Sequence, residues 1–106
     1  MTLQLAPRPE EHPLISRLCT QFGASRVTAD GLADWMARPG AQALLLAGDP
    51  VRFPEGLDVA VVLPEVRAAC GQPFDIAVVP RAEEDAVARR LGSQRWPTVV
   101  FARDGQ

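Results

Sequence analysis

The residues DVAVVLPEVRAAC, positions 58–70, admit two readings, and the fold turns on which is right. By intrinsic preference the β-branched run 59–63 is a strand and Pro64 opens a helix, because valine favours a pleated surface and proline fits a first helical turn. Taken as one element, the stretch is instead a helix capped by Asp58 and kinked at Pro64, where the missing N–H and the ring break the backbone ladder. These residues alone leave both readings open.

The flanking segments are clearer. Upstream, ALLLAG (43–48) has no polar alternation and reads as a strand covered on both sides. Downstream, FDIAVVP (74–80) reads the same way. The pattern AEEDAVARRLG (82–92) then has acids in its first turn, arginines in its last and a closing glycine, as a helix dipole favours. Its triplet Glu83, Glu84 and Asp85 is read as complementing that dipole. TVVFA (98–102) is the last strand, entered through Trp96-Pro97 and followed by an Asp-Gly turn. Toward the N-terminus, Thr28 is expected to cap a helix through ADGLADWMAR (29–38), with Leu32, Trp35 and Met36 on one face and Pro39-Gly40 ending it. Arg26-Val27 adds a short edge strand. Pro13 opens a helix through LISRLCTQF (14–22), in which Leu14, Leu18 and Phe22 recur at helical spacing and which Gly23 stops. Asp49-Pro50 and Pro54-Glu55 shape the loop after the central strand. Strands alternating with helices imply an α/β layered sandwich.

Composition bounds the function. With 106 residues, 47% of them apolar, the chain has the size of one domain with one modest core. A single domain over 1–106 is expected, with a polar leader, 1–11, expected to be mobile. All 11 basic residues are arginines, and against 13 acidic residues the net charge is −2, so no strong field favours nucleic acid or an anionic membrane. The apolar runs are far shorter than the roughly 20 residues that span a bilayer. MTLQLAPRPEE lacks the basic start and apolar core of a signal peptide, which makes the cytoplasm the expected location. Cys19 and Cys70 form neither a C-x-x-C pair nor a metal spacing and are read as small hydrophobes on buried helix faces. The single histidine, His12, lies beside Glu10 and Glu11 with no second histidine or nearby cysteine, so neither a metal site nor a general base is expected. No Gly-rich phosphate loop or G-x-S-x-G elbow is present, and no enzyme activity or cofactor is expected.

The order helix, strand, proline-kinked helix, strand, helix, then Trp-Pro-Thr before an apolar strand, resembles the thioredoxin fold. The resemblance implies a cis bond into Pro97, facing the start of a helix that bends at Pro64, and so favours the helical reading of 58–70 against propensity. In redox thioredoxins the catalytic cysteines stand five and eight residues before the kink proline, positions held here by Val59 and Gly56. The dithiol needed for exchange is therefore missing.

A closer resemblance, over nearly the whole chain, is to the hydrogenase expression/formation proteins of the HupG/HyaE group. It rests on GDPVRFPE (48–55), DVAVVLPE (58–65) and the W-P-T strand together. The resemblance implies a thioredoxin-like three-layer sandwich with a central mixed sheet, acting in maturation of membrane-bound nickel–iron hydrogenase. It implies a non-catalytic chaperone that binds the small-subunit precursor and its twin-arginine signal peptide before export. Members of the group continue with another strand and a terminal helix, so the resemblance implies that this chain stops short of the full fold, or that an oligomer or partner covers the edge of the last strand. In the fold as known, the loop before the cis proline exposes backbone beside an apolar groove suited to an extended peptide. Trp96, Pro97, Glu55, Asp58 and Glu65 are the expected peptide-binding residues, the carboxylates taking guanidinium groups. Each also has a plainer reading: Trp96 as packing beneath the loop, Asp58 as a helix cap and Glu65 as a solvated helix residue. Two other functions stay open, a scaffold bridging maturation factors and a redox protein using Cys19 and Cys70 as a remote pair.

Overall fold

A computed structural model describes residues 11–71, 73–92 and 95–103. Its elements run α1 (Pro13–Phe22), β1 (Ser25–Arg26), α2 (Leu32–Ala37), β2 (Ala41–Leu46), α3 (Glu55–Ala69), β3 (Asp75–Val78), a 3₁₀ turn (Arg81–Glu83), α4 (Glu84–Leu91) and β4 (Thr98–Arg103). The ambiguous stretch is helical, and Pro64 lies inside α3. Packing overrides propensity here. The buried residues Gly56, Ala60, Leu63 and Pro64 recur at helical spacing, whereas a strand over 59–63 would put Val59, Val61 and Leu63 on one face. The small residues at 56 and 60 let the helix lie close on the sheet, and a Cβ at Gly56 would overlap the Ala47 carbonyl.

The sheet has the order β1-β3-β2-β4. β3 pairs in parallel with β1 and β2, while β4 runs antiparallel to β2 from Ala41 opposite Arg103 to Leu46 opposite Thr98. Ala43 to Leu46 of β2 are buried, as their unbroken apolar run requires, and Gln42 is buried with its Nε2 donating to the Trp35 carbonyl at 2.8 Å. Alternation along the strand sends Leu44 and Leu46 to one face, with Leu32, Trp35, Val87 and Ala88 of α2 and α4. It sends Ala43 and Leu45 to the other, with Leu18, Ala60 and Leu63 of α1 and α3. These are the three layers. Among the described residues β4 pairs on one side only, and its Phe101 is 64% exposed.

Several expectations need correction. Asp58 does not cap α3. The chain already winds at 49–54, where Phe53 N–H donates to the Asp49 carbonyl (2.7 Å) and Gly56 N–H to that of Phe53 (3.0 Å), so the helix starts at Glu55 and Asp58 falls in its first turn. α3 has no side-chain cap; Asp49 Oδ1 instead caps the turn before it, accepting from Val51 N–H at 2.8 Å. Thr28 likewise caps a turn rather than a helix: its Oγ1 accepts from Gly31 N–H at 3.3 Å and α2 begins at Leu32. Ala29 N–H donates to Glu83 Oε1 (2.9 Å), and its carbonyl accepts from Arg90 Nη1 (2.5 Å) as well as from Leu32 N–H (3.4 Å), so this turn is tied to α4 before α2 begins. β1 is Ser25–Arg26, although Val27 N–H still donates to Val78 at 2.8 Å. Cys19 is half-buried, but Cys70 is exposed, since residues 68–71 at the end of α3 all face solvent.

Most of the leader, residues 1–10, lies outside the described residues. Its last residue, Glu11, is held by Arg26 (2.6 Å) and accepts from Ser16 Oγ (2.7 Å), and His12 caps α1 by accepting from Leu14 N–H at its Nδ1. Among the described residues no helix is long and apolar enough to cross a membrane.

Candidate peptide-binding site

Three stretches meet where β2 ends. Gly48 leaves the strand with φ 81°, a left-handed conformation that glycine adopts without steric cost. A Cβ there would stand 2.9 Å from the Phe53 ring and 3.0 Å from Trp96. Phe53, just before α3, stacks on Trp96 with ring centroids 6.4 Å apart, and Arg52 lies over the Phe53 ring at 5.4 Å. The Trp96-Pro97 peptide bond is cis, as the sequence resemblance implied. Gly48, Phe53 and Trp96 therefore hold the cis-proline loop against the entry to α3. Trp96 is half-buried in this stack, and among the described residues its indole N–H has no hydrogen-bond partner. It packs against the core on the α2 and α4 side, so packing accounts for much of its surface.

The carboxylates behave otherwise. Glu55, Asp58 and Glu65 are exposed, and 100° per residue places them along one side of α3, together with Val62 (48% exposed). Among the described residues none of the three has a hydrogen-bond or ion-pair partner. The structure thus brings the three carboxylates together as a ridge, beginning two residues after Phe53, while Trp96 and Pro97 form a separate cluster at the head of that ridge. The positions at which redox thioredoxins carry thiols hold Gly56, buried on Ala47, and the half-buried Val59. Cys70 stands at the far end of the helix, about 21 Å from Gly56 along the axis at 1.5 Å per residue.

Sequence reasoning missed a neighbouring feature. A cavity of about 240 Å³ opens at the ends of β2 and β3, lined by Ile15, Leu45, Ala47, Leu57, Val78 and Pro80 and by several acids. One of these is Glu84, only 1% exposed. Its Oε2 accepts from Gly48 N–H at 2.9 Å and its Oε1 from Arg81 Nη1 at 3.1 Å. Burial pushes its carboxyl above the ordinary 4.5, with the Gly48 N–H and Arg81 opposing. A sequence signal did exist: Glu84 falls on the same helical stripe as Val87, Ala88 and Leu91. Among the described residues no cluster of His, Cys, Asp and Glu could hold a metal ion.

The fold and this site define a thioredoxin-like domain that keeps the cis-proline loop and has no cysteine at the head of the facing helix. The chain belongs to the family described as Hydrogenase-1 expression protein HyaE, which it matches over residues 14–106. It is 48% identical over 106 residues to hydrogenase expression/formation protein HoxO of Cupriavidus necator, covering 95% of this chain and 66% of that protein. It is 41% identical over 100 residues to HupG of Rhodobacter capsulatus, covering 93% and 72%. The solved structure of hydrogenase expression/formation protein hupG from Rhodopseudomonas palustris CGA009 superposes with a TM-score of 0.64 at 31% identity, over 74% of this chain and 71% of that one. The chain thus spans about two thirds of the length of the Cupriavidus relative.

Proposed function

We propose that this protein serves hydrogenase maturation as a non-catalytic holding chaperone, binding the small-subunit precursor through its twin-arginine signal peptide before export. The family supports the process, since its relatives carry the name of hydrogenase expression/formation proteins. The observation that carries the finer reading is the ridge of unpartnered carboxylates, Glu55, Asp58 and Glu65, running from the cis-proline loop along the exposed side of α3. Carboxylates with free oxygens accept guanidinium groups in paired, charge-assisted hydrogen bonds. Two adjacent arginines followed by an apolar stretch match such a ridge beside an apolar receptor.

The test is binding of the precursor, with and without its leader, to wild type and to the triple variant Glu55→Gln, Asp58→Asn, Glu65→Gln. Wild type should bind the leader-bearing form, and the variant should bind it about tenfold or more weakly, as when paired charges are lost. Equal binding to both precursor forms would instead identify a scaffold. Dithiol-driven reduction of insulin above background would favour the redox reading.

A further inference from the structure

The cavity at the ends of β2 and β3 differs from the α3 ridge in one respect that decides what it can hold. Its wall acids are already engaged. Glu11 is bound by Arg26 and Ser16, Glu83 accepts from Ala29 N–H, and both oxygens of Glu84 are used by Gly48 and Arg81. His12, Thr28 and Arg81 also line it, the first two accepting from Leu14 and Gly31 N–H and the third donating to Glu84, and most of the remaining wall is the aliphatic surface of Ile15, Leu45, Ala47, Leu57 and Val78. An apolar group entering it leaves no wall carboxylate stripped of its partner. Apolar cavities of about 150 Å³ take a benzene-sized group, so 240 Å³ is ample for a leucine side chain.

The cavity and the ridge share the first turn of α3. Leu57, one of the cavity walls, is half-buried and lies about 100° round the helix from the exposed Asp58, with Glu55 on the opposite side of the helix. Resting on the function proposed above, we infer that this cavity receives an aliphatic side chain of the bound signal segment, while the preceding arginines lie on the ridge, which the segment reaches at Asp58. The partner is thus a bipartite peptide, cationic then aliphatic. The aliphatic anchor is held by the layer between α1 and α3 rather than by the Trp96-Pro97 face.

Fluorescence anisotropy with two labelled peptides tests this in the full chain: one carries adjacent arginines followed by leucines, the other the same arginines followed by serines. Wild type should bind the leucine peptide about tenfold or more tightly, the scale expected for burying one such side chain. Leu57→Trp, which fills the cavity from its wall, should abolish that preference and leave the serine peptide's affinity unchanged. Ala82→Trp, on the exposed rim, should do the same with little demand on the core. If wild type prefers the leucine peptide and both folded variants retain the preference, the cavity is not the receptor, although the peptide-binding function stands. If wild type binds neither peptide, the function itself falls, and this inference with it.

Discussion

Helices α3 and α4 both begin with acidic residues, and the two sets of acids have opposite surroundings. Glu83 and Glu84 at the head of α4 face inward: one accepts from the backbone of Ala29, the other from Gly48 and Arg81 while only 1% exposed. Glu55 and Asp58 at the head of α3 face solvent and have no partner among the described residues. Residue type and helical position are alike, so the difference comes from which stripe meets the sheet. On α3 that stripe is Gly56, Ala60, Leu63 and Pro64, which turns the acids outward. On α4 it includes Glu84 itself, beside Val87 and Ala88. Acids of the inward kind tie layers together, whereas the outward kind are available to a ligand.

The harshest way to break this comparison is to remove the buried acid. Glu84→Ala leaves the buried Gly48 N–H without its acceptor and loses a charge-assisted pair, which together should lower unfolding free energy by about 3 kcal/mol. Glu55→Ala should change it by about 0.5 kcal/mol or less, as at other exposed positions. Urea denaturation measures both, and equal costs for the two would erase the distinction.

A gentler change sharpens it. Because burial raises the Glu84 carboxyl above 4.5, the folded chain holds that proton more tightly than the unfolded one. The stability linked to this group is then fully present below 4.5 and is lost as pH rises through the folded-state value. Glu84→Gln cannot titrate. As pH rises above 4.5, wild type should therefore lose ground to Glu84→Gln in a series of urea denaturations. A difference between the two that does not vary with pH would mean that the Glu84 carboxyl titrates alike in the folded and unfolded chains. Arg81 and Asp85, the charges acting on Glu84, remain in both proteins.

Much of this was legible in the chain before any coordinates. Apolar runs marked β2, β3 and β4, and Gly23 and Gly92 closed α1 and α4 where expected, both with positive φ. The run 58–70 was not decidable from local preference, because valines favour strand while the tight seat of Gly56 on Ala47 demands helix, and only the resemblance chose correctly. The cis bond at Pro97 came from the same source. Thr28 and Asp58 are not helix caps because the chain turns before each helix starts: Thr28 caps the turn at Gly31, and Asp49 caps the turn that precedes α3. Glu84 does lie in the first turn of α4 as read, but its burial was not legible. An acid in a first turn looks solvated until the strand end that meets it, 36 residues earlier, is known.

A small expected effect is the most telling. Neutralising Glu55, Asp58 and Glu65 together should lower folding stability by about 1 kcal/mol or less, because repulsion between the two first-turn acids offsets part of what they gain from the helix dipole. The two first-turn acids each gain roughly 0.3–1 kcal/mol from the helix dipole, but as like charges on one side they also repel by roughly 0.2–0.5 kcal/mol per pair. Glu65, far from either end of α3, adds little to either term. Added salt should shrink whatever difference remains, since exposed charges are screened. A loss above roughly 2 kcal/mol, the scale of a buried pair rather than an exposed one, would show that the ridge supports the fold. Stability within the expected range and weakened precursor binding would instead place these carboxylates at the binding surface, since a change confined to function requires that the fold did not depend on them.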